Sequence, residues 1–190
     1  MILIVNCGST KVPQIEEITD SFEDYTTLSM YDFSNEDFTK YIGIIISGAP
    51  LLLSQLNPEP YLLAFEKIKT INIPVLGICF GHQIIGVLHG ARIALQKEER
   101  DWTDISFFKE SKLLKSIPNE CLMMQDHCES ISIPNNFSLL GSSDNCINEA
   151  MQHNSKPIFG VQFHPEVSGN LGTRLIENFI SICTELKAQS

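Results

Sequence analysis

The chain has 190 residues, of which 43% are hydrophobic and 19% charged, and its formal net charge is −10 at pH 7. That length suits one domain with a full hydrophobic core, read as residues 1–190. The acidic balance argues against a nucleic acid or an anionic membrane as partner, since both require a basic footprint. No apolar stretch approaches the roughly 18 residues of a membrane helix, and the opening MILIVNCGSTK lacks the basic start and cleavage pattern of a signal peptide. Six irregularly spaced cysteines fit reduced thiols in a cytoplasmic protein better than a disulfide framework.

In chain order, residues 2–5 read as a buried strand, and residues 12–22 carry Ile15, Ile18 and Phe22 at helical spacing. Residues 25–30 predict a second strand. Residues 42–46 predict a strongly β-branched third strand, stopped by Ser47-Gly48-Ala49-Pro50. Residues 61–70 read as a helix with Leu62, Phe65 and Ile68 on one face, residues 73–78 as a fourth strand, and residues 82–88 as the helix after it. Near-continuous apolar strands alternating with helices predict an α/β fold, an open, mostly parallel twisted sheet with helices on both faces.

The second half differs. Residues 102–108, 122–124, 130–133, 138–140 and 147–152 are short strand candidates separated by turn residues, which predicts a partly antiparallel extension of the sheet. Residues 158–163 return to a buried run. Residues 173–186 close the chain as an amphipathic helix, with Leu175, Ile176, Phe179, Ile182 and Cys183 apolar.

The strongest chemical signal is Gly77-Ile78-Cys79-Phe80-Gly81-His82-Gln83, which comes after a buried strand and opens a helix. A Gly-x-Cys-x-Gly run in that setting is the sulfur version of a nucleophile elbow. A sharp turn lifts the thiol above the sheet edge, flanking glycines let backbone pass closely, and the helix N-terminus favours the thiolate. A lone cysteine would more simply be a small buried residue; the glycines and the strand-to-helix setting reverse that reading. A cysteine nucleophile needs a base, and the base an orienting partner. Of five histidines, His164 stands at the end of a buried run, with Pro165 and Glu166 directly after it. In an extended segment residues two apart point the same way, so Glu166 is expected beside the imidazole. His82 reads as a capping or packing residue, and His89 and His153 as structural or solvated.

These residues resemble the class I, or triad, glutamine amidotransferases, on Gly77–Gln83, on Phe163-His164-Pro165-Glu166-Val167 and on the Ser47-Gly48-Ala49-Pro50 loop. Residues 148–167 are most similar to the glutaminase subunits of two-subunit GMP synthases. The resemblance implies a flavodoxin-like fold and a glutamine hydrolase. In it Cys79 attacks the side-chain amide, His164 moves the proton, Glu166 orients His164, and a glutamyl thioester is hydrolysed by water. It further implies an oxyanion hole from the backbone of Phe80 and of the Gly48-Ala49 loop, with Gln83 helping to position L-glutamine. Ammonia would pass to a synthase on another polypeptide, such as the ATP-pyrophosphatase subunit of GMP synthase, because no Walker-type or pyrophosphate-binding loop is present.

The chain also departs from the family pattern. Ala49 stands where the family has a second glycine, and a Cβ at a positive φ would cost about 1–2 kcal/mol and slow turnover. Ser168-Gly169-Asn170 replaces a His-Thr pair, and Met124-Gln125-Asp126-His127-Cys128-Glu129 matches a Ser-His-x-Asp pattern imperfectly. Two other readings of the same residues stand beside the amidotransferase: a stand-alone γ-glutamyl hydrolase or peptidase, and a regulatory module with a weakened site. Cys121, His127, Cys128 and Cys146 lack paired zinc spacing and read as core thiols and a surface histidine, so no metal or cofactor is expected.

Overall fold

The computed structural model describes residues 1–189. Its first half alternates β1 (Ile2–Asn6), α1 (Val12–Asp20), β2 (Tyr25–Ser29), β3 (Gly43–Ile46), α2 (Glu59–Phe65), β4 (Val75–Ile78) and α3 (Phe80–Leu88). The second half adds β5 (Ile93–Glu99), β6 (Trp102–Phe107), β7 (Glu120–Met124), β8 (His127–Ile131), β9 (Phe137–Ser142), β10 (Ala150–His153), β11 (Ile158–Val161) and α4 (Gly169–Ala188). Nine strands form one sheet in the order β2-β1-β3-β4-β11-β10-β9-β6-β7. The pairs from β2 to β11 are parallel, and those from β11 to β7 are antiparallel. The mostly parallel sheet with an antiparallel extension is therefore the observed architecture.

Strand side chains sort with period two into two cores, as a sheet covered on both faces requires. Ile2, Ile4, Ile45, Leu76 and Ile78 face α1 and α4, where Ile15, Leu175, Ile176 and Phe179 meet them. Leu3, Val5, Ile44, Ile46 and Val75 face α2 and α3, against Phe65, Phe80, Ile84 and Ile85. Each such side chain contributes about 1.5–3 kcal/mol on full burial, so a one-residue slip of any central strand would exchange the two cores at great cost.

Several expected boundaries change. The first helix ends at Asp20, and Phe22, expected on its buried face, is 42% exposed. The expected helix over 61–70 divides into α2 and a 3₁₀ turn, Glu66–Lys69, with Pro60 in the first turn of α2. Residues 130–133, expected to extend the main sheet, belong instead to β8, which pairs only with β5 in a separate antiparallel ribbon. Among the described residues no helix is long and apolar enough to cross a membrane.

Candidate active site

Strand order assembles the site. β4 lies between β3 and β11, so the loops leaving those neighbours flank the segment that leaves β4. That segment is Cys79 and then α3. Cys79 has φ 50° and ψ −103°, a conformation that costs a non-glycine residue about 1–3 kcal/mol. It is held by Cys79 N–H donating to Val161 O at 2.8 Å and by Gln83 N–H donating to Cys79 O at 3.0 Å. The flanking glycines are required sterically. A Cβ at Gly77 would lie 2.4 Å from Gly81 C, and one at Gly81 would lie 2.4 Å from Ile46 O.

The imidazole comes from the other neighbour. His164 stands beyond the end of β11, and its N–H donates to Met124 O at 2.9 Å. Ser168 Oγ donates to His164 O at 2.6 Å and accepts from Met124 N at 2.9 Å, so the segment that departs from the family pattern clamps the histidine backbone. Nδ1 of His164 lies 2.7 Å from Glu166 Oε1, with both side chains buried. The expected pairing is present, but its geometric reason differs. Glu166 lies in a 3₁₀ turn, Pro165–Val167, rather than in an extended segment. A deprotonated carboxylate only accepts, so the Nδ1 proton is fixed and Nε2 is left with a lone pair. That Nε2 is buried without a hydrogen-bond partner. Burial acts to lower the His164 imidazole, but the facing Cys79 sulfur and the Glu166 carboxylate outweigh it and raise it above the usual histidine range. The Cys79 thiol itself lies 3.9 Å from Asp126 O.

The loop after β3 closes the other side. A Cβ built on Gly48 would lie 3.0 Å from His164 Cε1 and 3.6 Å from Cys79 Cβ, so its backbone passes beside both. Ser47 Oγ donates to Gly48 O at 2.9 Å and accepts from Cys7 N at 2.9 Å. The N–H and C=O of one trans peptide point opposite ways, so this bond turns the Ala49 N–H away from Ser47. Positive φ among non-glycine residues is confined to Cys79, Ser116 and Asn136. Ala49 is outside that region, and the strain expected from its Cβ is absent. Phe80 opens α3, where the first N–H groups have no intrahelical acceptor.

Gln83, expected to touch substrate, lines the cleft floor with its Nε2 at 3.2 Å from Gln162 Oε1 and 3.4 Å from Glu129 O. Glu129 was not singled out from the sequence. It is buried, and its two carboxylate oxygens accept from Leu53 N at 2.9 Å and Ser54 N at 2.8 Å, pinning the loop after β3. Its place in the imperfect Ser-His-x-Asp match was the one available signal.

The resulting cleft encloses about 490 Å³. Cys79, Gln83 and His164 line its base, and Lys11, Glu98, Arg100 and Asp126 line its wall. Asp126 pairs with both Lys11 and Arg100. Among the described residues, one group of ligand atoms lies close enough to share a metal ion, from Glu99, His127 and Glu149; no cysteine belongs to it. His127, expected at the surface, is buried. His82 is fully buried under Gly160, and His89 and His153 pack on Phe137.

The other five thiols differ from Cys79 in setting. Burial pushes Cys7 up to about 12 and Cys121 up to about 11, and raises Cys128, Cys146 and Cys183 as well. Iodoacetamide at pH 7.5 is therefore expected to label Cys79 at least about tenfold faster than any other thiol, because the thiolate is the nucleophile. Peptide mapping after short exposure checks this; comparable labelling of Cys128, which lines the same cleft, would contradict it.

The family model for class-I glutamine amidotransferases matches residues 3–183. The glutamine-hydrolysing subunit of GMP synthase from Pyrococcus furiosus is 39% identical over 147 residues, 76% of this chain and 77% of that protein. The subunit of the same name from Methanocaldococcus jannaschii is 36% identical over 144 residues, 74% of this chain and 73% of that one. Among solved structures, a protein from Thermoplasma acidophilum described as a candidate subunit of GMP synthase superposes with a TM-score of 0.91 at 27% identity, covering 99% of this chain and 96% of that one. A glutamine amidotransferase from Thermotoga maritima shares the fold with a TM-score of 0.74 at 21% identity, covering 98% of this chain and 84% of that one.

Proposed function

Because this chain belongs to the class I glutamine amidotransferase family, we propose that it is the cytoplasmic glutaminase subunit of a two-subunit GMP synthase, acting in purine biosynthesis through Cys79, His164 and Glu166. The observation that carries the catalytic reading is the convergence of a strained Cys79, a Glu166-held His164 and the Gly48 backbone at the carboxyl ends of three adjacent strands.

In this reading Cys79 Sγ attacks the side-chain amide carbon of L-glutamine while His164 Nε2 takes the thiol proton. The tetrahedral oxyanion is met by the N–H groups of Phe80 and of the Gly48-Ala49 loop, donors that together with the helix end need no reorganisation during the step. His164 gives its proton to the amide nitrogen, the C–N bond breaks, and ammonia leaves a glutamyl thioester. Water, deprotonated by His164, attacks that carbon; the C–S bond breaks, and glutamate and the thiol are restored. Gln83 positions the substrate from the cleft floor. The opposed charges of Lys11, Arg100, Glu98 and Asp126 suit the α-carboxylate and α-ammonium groups of a free amino acid.

The relatives' names support a partner that consumes the ammonia. The test is reconstitution with an ATP-pyrophosphatase subunit of GMP synthase. Glutamine-dependent GMP formation, with ammonia release stimulated by the partner, is the expected result. Glutaminase activity that never couples to GMP at stoichiometric partner would sink the subfamily reading and leave the amidotransferase intact. Preferential cleavage of other γ-glutamyl amides would favour a stand-alone hydrolase instead.

A further inference from the structure

Two buried carboxylates and an imidazole behind the cleft wall have no part in this chemistry. Glu99 ends β5, His127 opens β8, and Glu149 immediately precedes β10; all three are buried. One oxygen of each carboxylate is tied to the protein. Glu99 Oε1 accepts from Asn145 Nδ2 at 2.8 Å, and Glu149 Oε1 accepts from Gln125 Nε2 and Ser143 Oγ, each at 2.8 Å. The other oxygen of each, Glu99 Oε2 and Glu149 Oε2, has no partner, and neither does His127 Nε2. Ligand atoms from the three residues lie within 4.8 Å of one another.

The histidine is oriented as a ligand would be. Its Nδ1 lies 3.0 Å from Glu129 O, which can only accept, so Nδ1 carries the proton and Nε2 offers a lone pair. The Gln96 amide also lies 3.0 Å from Nδ1, and its oxygen is the end that suits this tautomer. His127 Nε2 is 3.6 Å from Glu99 Oε2, too long for a hydrogen bond. Three desolvated acceptor atoms thus face one another with no donor among them. That arrangement is costly alone and is resolved by a cation. Two carboxylates and a neutral imidazole balance a double positive charge. Metal–ligand distances of about 2.0–2.2 Å are within reach of rotations by the two glutamates. A mixed nitrogen and oxygen set suits zinc, whereas magnesium and calcium prefer oxygen alone.

We propose that Glu99, His127 and Glu149 form a structural site for one divalent transition-metal ion, with zinc the best chemical match and water in the fourth position. The ion would join the β5–β8 ribbon to the main sheet, because Glu99 and His127 belong to the ribbon while Glu149 N–H donates to Gly141 O of β9. The role is a staple behind the cleft wall, separate from the thiol chemistry.

The experiment uses untagged full-length chain carrying Cys79→Ser, so that zinc taken up by the reactive thiol is not counted. Zinc is titrated into metal-free protein, and bound metal and thermal unfolding are read together. The expected result is one equivalent bound, with a rise in melting temperature of roughly 5–10 °C at zinc a hundredfold above Kd. Glu149→Gln and His127→Gln, both close in shape, should each weaken binding at least about tenfold. Circular dichroism of the metal-free variants establishes that they fold. Binding of less than half an equivalent at saturation, or stoichiometric binding left unchanged by both substitutions, would overturn the proposal.

Discussion

Replacing Cys79 with alanine is expected to lower glutamine hydrolysis by about 10⁴-fold or more while leaving the fold intact. The sulfur atom is the group that forms the bond to carbon, and no other thiol faces His164. Alanine keeps the same backbone penalty, because it also carries a Cβ at φ 50°. Cys79→Gly makes the complementary case: equally inactive, but more stable than Cys79→Ala by about 1–2 kcal/mol, since glycine tolerates that φ without cost. Ammonia release and thermal unfolding of the two variants side by side check both halves. Residual activity of a few per cent in either would remove Cys79 from the chemistry. Equal stability would mean that the turn stores no strain.

Glu166→Gln is expected to reduce turnover on the order of 10³-fold with little change in KM, by acting on His164 alone. An amide can present its NH₂ to Nδ1 and so move the imidazole proton to Nε2, where it blocks acceptance of the thiol proton. The electrostatic effect has the same sign. With Cys79 and Glu166 both facing it, the His164 imidazole is held above its usual range against burial. Removing one of these two lets burial pull it down, and proton transfer from the thiol becomes less favourable. Alkylation of Cys79 at neutral pH should therefore slow in parallel with turnover. An unchanged alkylation rate with impaired hydrolysis would mean that Glu166 acts on substrate and not through His164.

Most of the parallel half was legible because its strands are buried on both faces and read as unbroken apolar runs. The elbow was legible because Gly77 and Gly81 have no alternative: each would meet backbone within 2.4 Å if it carried a Cβ. The pairing of His164 with Glu166 was found for an incomplete reason, since a tight turn also brings residues two apart together. β5 was missed because Gln96-Lys97-Glu98-Glu99-Arg100 resembles a solvated charge run, and its partner β8 lies in a ribbon that no periodicity within either segment reveals. With β5 went Glu98, Arg100 and Glu99. Glu129 and Glu149 were overlooked because a buried carboxylate is recognisable only from the groups it holds, here backbone amides of Leu53 and Ser54 for one and Gln125 and Ser143 for the other.

The β5–β8 ribbon divides the molecule in a way that bears on motion. Its ladder shares no hydrogen bond with the nine-stranded sheet, yet it supplies one wall of the cleft. Separating that wall breaks side-chain contacts and the Glu129 grip on Leu53 and Ser54, but no rung of the main sheet. The wall is thus a cooperative unit of its own, able to open and reclose at a free energy below that of global unfolding. A protein bound against the ribbon can bias that opening, and so change access to Cys79, while the strand ends that hold Cys79, Gly48 and His164 stay where they are.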